Sequence, residues 1–247
     1  MEATAPQARG RRRWPWVVAA LVAVALVAGG VLVRAYPSVA ATTCPRCYGM
    51  TPVRDRLYAE PGLSAADRRR LVEVYDAATR QVDDFYRGRE SAPTVLACFS
   101  ADCYARIGGG GERGMAVRNQ ALMLSPRGID PVIAAHELSH VELHARLGSH
   151  ADEVPQWFDE GLAVLVADDR RYLLPPTAPD RCRDAAPGPL PETLDAWLRA
   201  ATADEQVYAR AACRVQRWVQ AGGGPEAVLR LVTRLRAGAD IDTLLTS

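Results

Sequence analysis

Residues 136–140 read His-Glu-Leu-Ser-His, two imidazoles four residues apart with a carboxylate between them. All four histidines of the chain (His136, His140, His144 and His150) fall within fifteen residues of sequence there. Asp130-Pro131 upstream is a helix-start signal, with Asp at the N-cap and Pro at the first helical position. Gly148 downstream is a stop. A helix is therefore expected over 131–147. With each residue turning about 100°, His140 lies at about 40° and Glu137 at about 100° from His136, so the three share a face. Two imidazoles one turn apart are placed to bind one metal ion, and Glu137 sits beside them as a base for water. The plainer reading is a polar helix face that happens to carry two histidines.

A catalytic metal site needs a third protein ligand and an open position. His144 is near the same face, at about 80°, but about 6 Å further along the axis from His140. His150, Asp152 and Glu153 lie in the following loop, and spacing alone leaves them open as ligands. The metzincin continuation requires Gly and His where this chain has Leu143 and Arg146, so that class fails. Glu160 is the remaining candidate, in Trp157-Phe158-Asp159-Glu160-Gly161-Leu162-Ala163.

At this point the sequence resembles the gluzincin zinc metallopeptidases, and most closely their compact peptidase MA-like group. In gluzincins a second helix carries the third ligand, often as W-[L/F]-x-E-G-[L/F/Y]-A, and nineteen residues separate His140 from Glu160. The resemblance implies zinc held by His136, His140 and Glu160, with Gly161 allowing close packing of the two helices. It implies that Glu137 takes a proton from water and delivers one to the leaving amine. A downstream Tyr or His stabilises the oxyanion in larger gluzincins. Tyr208 is the best candidate here by position, with Tyr172 as runner-up. Asp159, Glu142, Asp168 and Asp169 are all near enough in sequence to support a ligand. Gluzincin aminopeptidases carry a glutamate in a G-x-M-E-N strand. Residues 114–119 read Gly-Met-Ala-Val-Arg-Asn and lack it, which favours an endopeptidase acting on a peptide or protein substrate. The alternative is a non-catalytic, membrane-tethered domain of peptidase fold serving protein binding or assembly.

The rest of the chain sets the frame. Its 247 residues, 49% of them hydrophobic, suffice for one ordinary domain and a tail. A net charge of +1 argues against nucleic-acid binding by phosphate neutralisation. There is no lysine. Arginines 9 and 11–13 precede an apolar run from Trp16 to Val33 that is about 27 Å long as a helix, close to a bilayer's hydrocarbon thickness. A transmembrane anchor is expected over 16–34, with a basic cytoplasmic tail over 1–15. A cleaved signal peptide is the competing reading. Either way, the remainder is expected to be extracytoplasmic, periplasmic in a bacterium.

Residues 35–62, with Cys44-Pro45-Arg46-Cys47 and three further prolines, read as a linker, and 63–247 as the peptidase-like domain. Cys44 and Cys47 suit a redox pair, half of a zinc ribbon or a structural disulfide, the last favoured by an oxidising compartment. Cys98 with Cys103, and Cys182 with Cys213, are candidates for further bridges. Ser64 caps a helix ending at Gly88. Pro93–Phe99, Met115–Val117 and Ala121–Leu124 are strand candidates. Helices are expected over 155–167, 194–200, 207–221 and 225–236, with a proline-rich loop over 170–191. The expected fold is α+β: a small thermolysin-like domain, mostly helical with a short mixed sheet, behind one transmembrane helix.

Overall fold

The computed structural model describes residues 17–19, 21–23, 30, 33–184 and 186–246. Helix α1 (Pro37–Thr43) and a 3-10 turn lead into strands β1 (Thr51–Arg54) and β2 (Leu57–Ala59). Helix α2 (Ala65–Tyr86), strand β3 (Thr94–Ala97), helix α3 (Ala101–Arg106) and the hairpin strands β4 (Gly114–Val117) and β5 (Ala121–Leu124) follow. Helices α4 (Pro131–Leu147), α5 (Gln156–Val166), α6 (Leu194–Ala203), α7 (Gln206–Ala221), α8 (Glu226–Arg236) and α9 (Ile241–Thr246) complete the order.

The five strands form one sheet in the order β1-β2-β3-β5-β4. β2, β3 and β5 run parallel, while β1 and β4 are antiparallel edges. Side chains alternate across the central strands as the pleat requires. Leu57, Val95, Ala97, Leu122 and Leu124 join the main core under the helices. Leu96, Cys98, Ala121 and Met123 face a second cluster with Ala41, Met50, Tyr104 and Ile107. Burial on both faces explains why β5 reads as the unbroken apolar run Ala-Leu-Met-Leu.

Three expectations are corrected. The architecture is mixed α/β, not α+β: parallel β2, β3 and β5 require crossovers, and α2 supplies the first. Residues 35–62 are not a linker, since they supply α1 and the two strands that extend the sheet. Pro52 hid β1, but a proline is tolerated on an edge strand, where its missing N–H faces no partner. About half of the anchor expected over 16–34 falls outside the described residues, and among those described no helix is long and apolar enough to cross a membrane. The single-pass membrane localisation built on that anchor is withdrawn with it, and the basic tail over 1–15 lies outside the described residues.

The cysteines pair as Cys44–Cys47, Cys98–Cys103 and Cys182–Cys213. Helix α2 is capped by Ser64, whose hydroxyl accepts the Asp67 N–H, and ends at Tyr86, two residues before the expected Gly88, with Arg87 as a left-handed cap. Helix α4 begins at Asp130, whose carboxylate accepts the N–H groups of Val132 and Ile133. It packs against α2, α5, α8 and the β4–β5 hairpin. Being enclosed, it needs internal partners for its polar side chains. Glu142, 0% exposed, accepts the backbone N–H groups of Glu90 and Ser91 at 2.9 Å and Arg146 Nε at 2.6 Å. It thereby fastens the end of the α2–β3 loop to α4, and is not a support for the histidines. Glu142→Ala leaves two amides and the Arg146 Nε without their acceptor. We expect it to cost about 3 kcal/mol in denaturant unfolding; a loss below about 1 kcal/mol would contradict this account.

Candidate metal centre

Helix α4 presents His136, Glu137 and His140 on one side, and α5 lays Glu160 against them. His136 Nε2 and His140 Nε2 stand 3.2 Å apart. Glu160 Oε2 lies 3.4 Å from the first and 3.8 Å from the second. Each of the three residues directs one ligand atom to a common point, and together they could hold a metal ion. The two Glu160 oxygens differ. Oε1 accepts Gln156 Nε2 at 3.1 Å, whereas Oε2 is buried with no hydrogen-bond partner. A buried carboxylate oxygen without a donor is costly. A cation among these three atoms removes that cost, so the donor set fits a bound ion on its own chemistry.

Asp159 organises the histidines from behind. Its Oδ1 lies 2.8 Å from His140 Nδ1 and its Oδ2 2.8 Å from His144 Nε2. A proton on His140 Nδ1, donated to Asp159, leaves Nε2 as the lone-pair nitrogen facing Glu160, the tautomer that a metal ligand needs. Burial opposes charge on this pair, but the pairing wins on both sides. With no cation bound, His140 is raised, mainly by the Asp159 charge and hydrogen bond, with Glu160 and Glu137 adding, so a metal ion at Nε2 would displace a proton. Asp159 is held well below the usual carboxylate range by His140 and His144. Burial pushes the Glu137 carboxyl up, against the lowering effect of His136 and His140 and a backbone hydrogen bond from Ala116.

Glu137 meets β4 directly. A Cβ on Gly114 would come within 2.6 Å of Glu137 Cγ, so glycine is what lets the edge strand lie on the carboxylate. His136 and Glu137 open into a cavity of about 240 Å³ walled by Gly114, Arg171, Tyr172 and Tyr208. Tyr208 lies against His136, with ring centroids 6.4 Å apart, and against Trp197 edge-on at 5.0 Å. Tyr172 stacks on Tyr208 at 5.2 Å, and its hydroxyl donates to Glu205. Of the two tyrosines, only Tyr172 is seen with its hydroxyl given to a carboxylate.

The structure therefore brings together His136, Glu137, His140, Glu160 and Tyr208. It places the other candidates elsewhere: His150 pairs with Glu153, Asp168 with Arg170 and Arg181, and Asp169 with Arg171. His144 joins through Asp159 and not as a ligand. Gly161 does permit a close approach, but to a different helix: a Cβ there would lie 2.6 Å from the Ala211 carbonyl of α7. Gln156 was missed, although its place four residues before Glu160 on one helix could have signalled it. No protein family, curated protein or solved structure matches the chain.

Removing the Asp159 carboxylate should lower affinity for a divalent ion about 10–100-fold in a chelator-competition titration of Asp159→Ala. Affinity within about twofold of wild type would show that the histidines are oriented without it.

Proposed function

We propose that this chain is a zinc-dependent metallopeptidase of gluzincin type, acting as an endopeptidase. The observation that carries the reading is the buried, partnerless Glu160 Oε2 facing two imidazole nitrogens, with Glu137 alongside in an open cavity. Ligand atoms about 2.0–2.2 Å from a tetrahedral zinc ion lie about 3.3–3.6 Å from one another. The distances of 3.2, 3.4 and 3.8 Å here are close to that spacing. Two nitrogens and one carboxylate oxygen, with a side open to the cavity, suit a catalytic site better than a closed structural one.

Zinc bound there would supply Lewis acidity, acidifying water and polarising a carbonyl oxygen. The chain's own residues do the rest. Glu137, raised by burial, is suited to take the proton of an attacking water and to pass it to the amide nitrogen as the C–N bond breaks. Its Ala116 hydrogen bond and the close floor at Gly114 fix its carboxylate. Tyr208 stands on the opposite wall, where a phenol hydroxyl can donate to the carbonyl oxygen as charge develops. Apart from the Ala116 N–H taken by Glu137, the outer edge of β4 offers an extended peptide backbone hydrogen-bonding groups that β5 does not use.

Elemental analysis of the purified protein should find one zinc per chain, with most of it lost in His140→Ala. Glu137→Gln should keep the metal and reduce kcat on an internally quenched peptide library by at least about 100-fold. Tyr208→Phe should lower kcat about 10–100-fold with little change in metal content. A metal-free wild type sinks the proposal. Metal binding without hydrolysis of any peptide transfers the site to the alternative, a binding domain of peptidase fold.

A further inference from the structure

Past Glu137 the cavity runs towards one end of the β4–β5 hairpin, where two arginines reach it. Arg113 immediately precedes β4, and Arg127 lies in the turn after β5. The register sets Gly114 opposite Leu124, so the two arginines share that end of the hairpin. The turn is seated closely. Ser125 N–H donates to the Arg113 carbonyl at 2.9 Å, and a Cβ on Gly128 would come within 2.0 Å of that same oxygen. Both arginines line the cavity holding His136 and Glu137.

Charge on this wall is unevenly matched. Arg171 is clamped by the buried Asp169, and Arg170 is paired with Asp168. The nearby carboxylates keep their charge but are turned to other donors: Asp130 to the first turn of α4, Glu112 to the Gly110 N–H and Glu205 to the Tyr172 hydroxyl. Arg113 and Arg127 have no acidic partner among the described residues. Arg127 donates only to a neutral acceptor, the carbonyl of Gly111. Two guanidinium forks held in no ion pair, at the mouth of a cleft, favour a planar anion that accepts hydrogen bonds bidentately.

We propose that Arg113 and Arg127 recognise a carboxylate of the bound peptide. This rests on the peptidase reading for its biological setting. The carboxylate is either an Asp or Glu side chain near the cleaved bond or a free C-terminus. Both offer the same chemistry and are separable by experiment.

Fluorescence anisotropy on full-length Glu137→Gln protein measures peptide binding without turnover. Matched labelled peptides would carry Asp/Glu or Asn/Gln, each with a free or an amidated C-terminus. The expected result is about tenfold tighter binding when the carboxylate is present, weakening with salt as an exposed ion pair must. Loss of that advantage on changing Asp/Glu to Asn/Gln names the side chain; loss on amidation names the terminus. The anionic-to-neutral affinity ratio should fall to about one in R113Q/R127Q, and below one in R113E/R127E. Equal affinity for all four peptides, or a ratio unchanged in both arginine variants, overturns the proposal. Cleavage by the wild type is scored separately. If no peptide is cut, the peptidase reading fails, while the affinity ratios still decide whether the arginines bind carboxylate.

Discussion

The Asp159 carboxylate, shared between His140 and His144, is the contact on which the centre depends. It joins α5 to α4 at the level of the ligands, and it sets the His140 tautomer at the same time. Its neighbour Glu160, about 100° further round α5, then points at the Nε2 atoms from the other side. One pair of adjacent acids therefore does two jobs: the first fixes the orientation of a ligand, and the second completes the ligand set. Gly161 follows at once, and its missing side chain lets α7 press on the back of α5. Three successive residues thus fix α5 between two helices, with little freedom for the donor atoms to drift.

Besides Glu137, the buried charge on α4 falls into two separate sets. Glu142 and Arg146, with the loop amides of Glu90 and Ser91, form one on the side towards α2. His140, His144 and Asp159 form the other, next to the cavity. Each acid has its own donors, which is how an almost fully enclosed helix tolerates so many ionisable groups. Among the carboxylates of the described residues, only Glu160 Oε2 is buried without a donor, and it is so where the two imidazoles converge.

Much of the centre was legible because helical periodicity is a local property. Asp130-Pro131 and Gly148 framed α4, and counting residues around it put His136, Glu137 and His140 on one side. The choice of Glu160 came from a pattern in the chain and agrees with where α5 lies. What could not be read was what depends on packing between distant segments. Asp159, Glu142, Asp168 and Asp169 were indistinguishable by distance along the chain, and only the packing of α5 on α4 separates them. The same limit hid the sheet: a three-residue strand and a strand containing Pro52 carry almost no periodic signal, yet β2 pairs with β3 across α2. An arginine-flanked apolar run was given a membrane-spanning role from length and hydropathy alone, which the described helices do not support.

The three bridges constrain the chain unequally. Cys44–Cys47 and Cys98–Cys103 close rings of 3 and 5 residues' separation, small enough that local turns already impose most of the restriction. Cys182–Cys213 spans 31 residues, and by loop-closure entropy that ring is worth roughly 3–4 kcal/mol against unfolding. The ring contains α6 and the first half of α7, and with them Trp197, Glu205 and Tyr208. One side of the cleft is thus stapled by a covalent bond that thiols can open, while the opposite side, β4, is held by hydrogen bonds and packing alone. A reducing environment would remove the covalent tie in the tyrosine wall, whereas the histidine–carboxylate cluster contains no cysteine to lose.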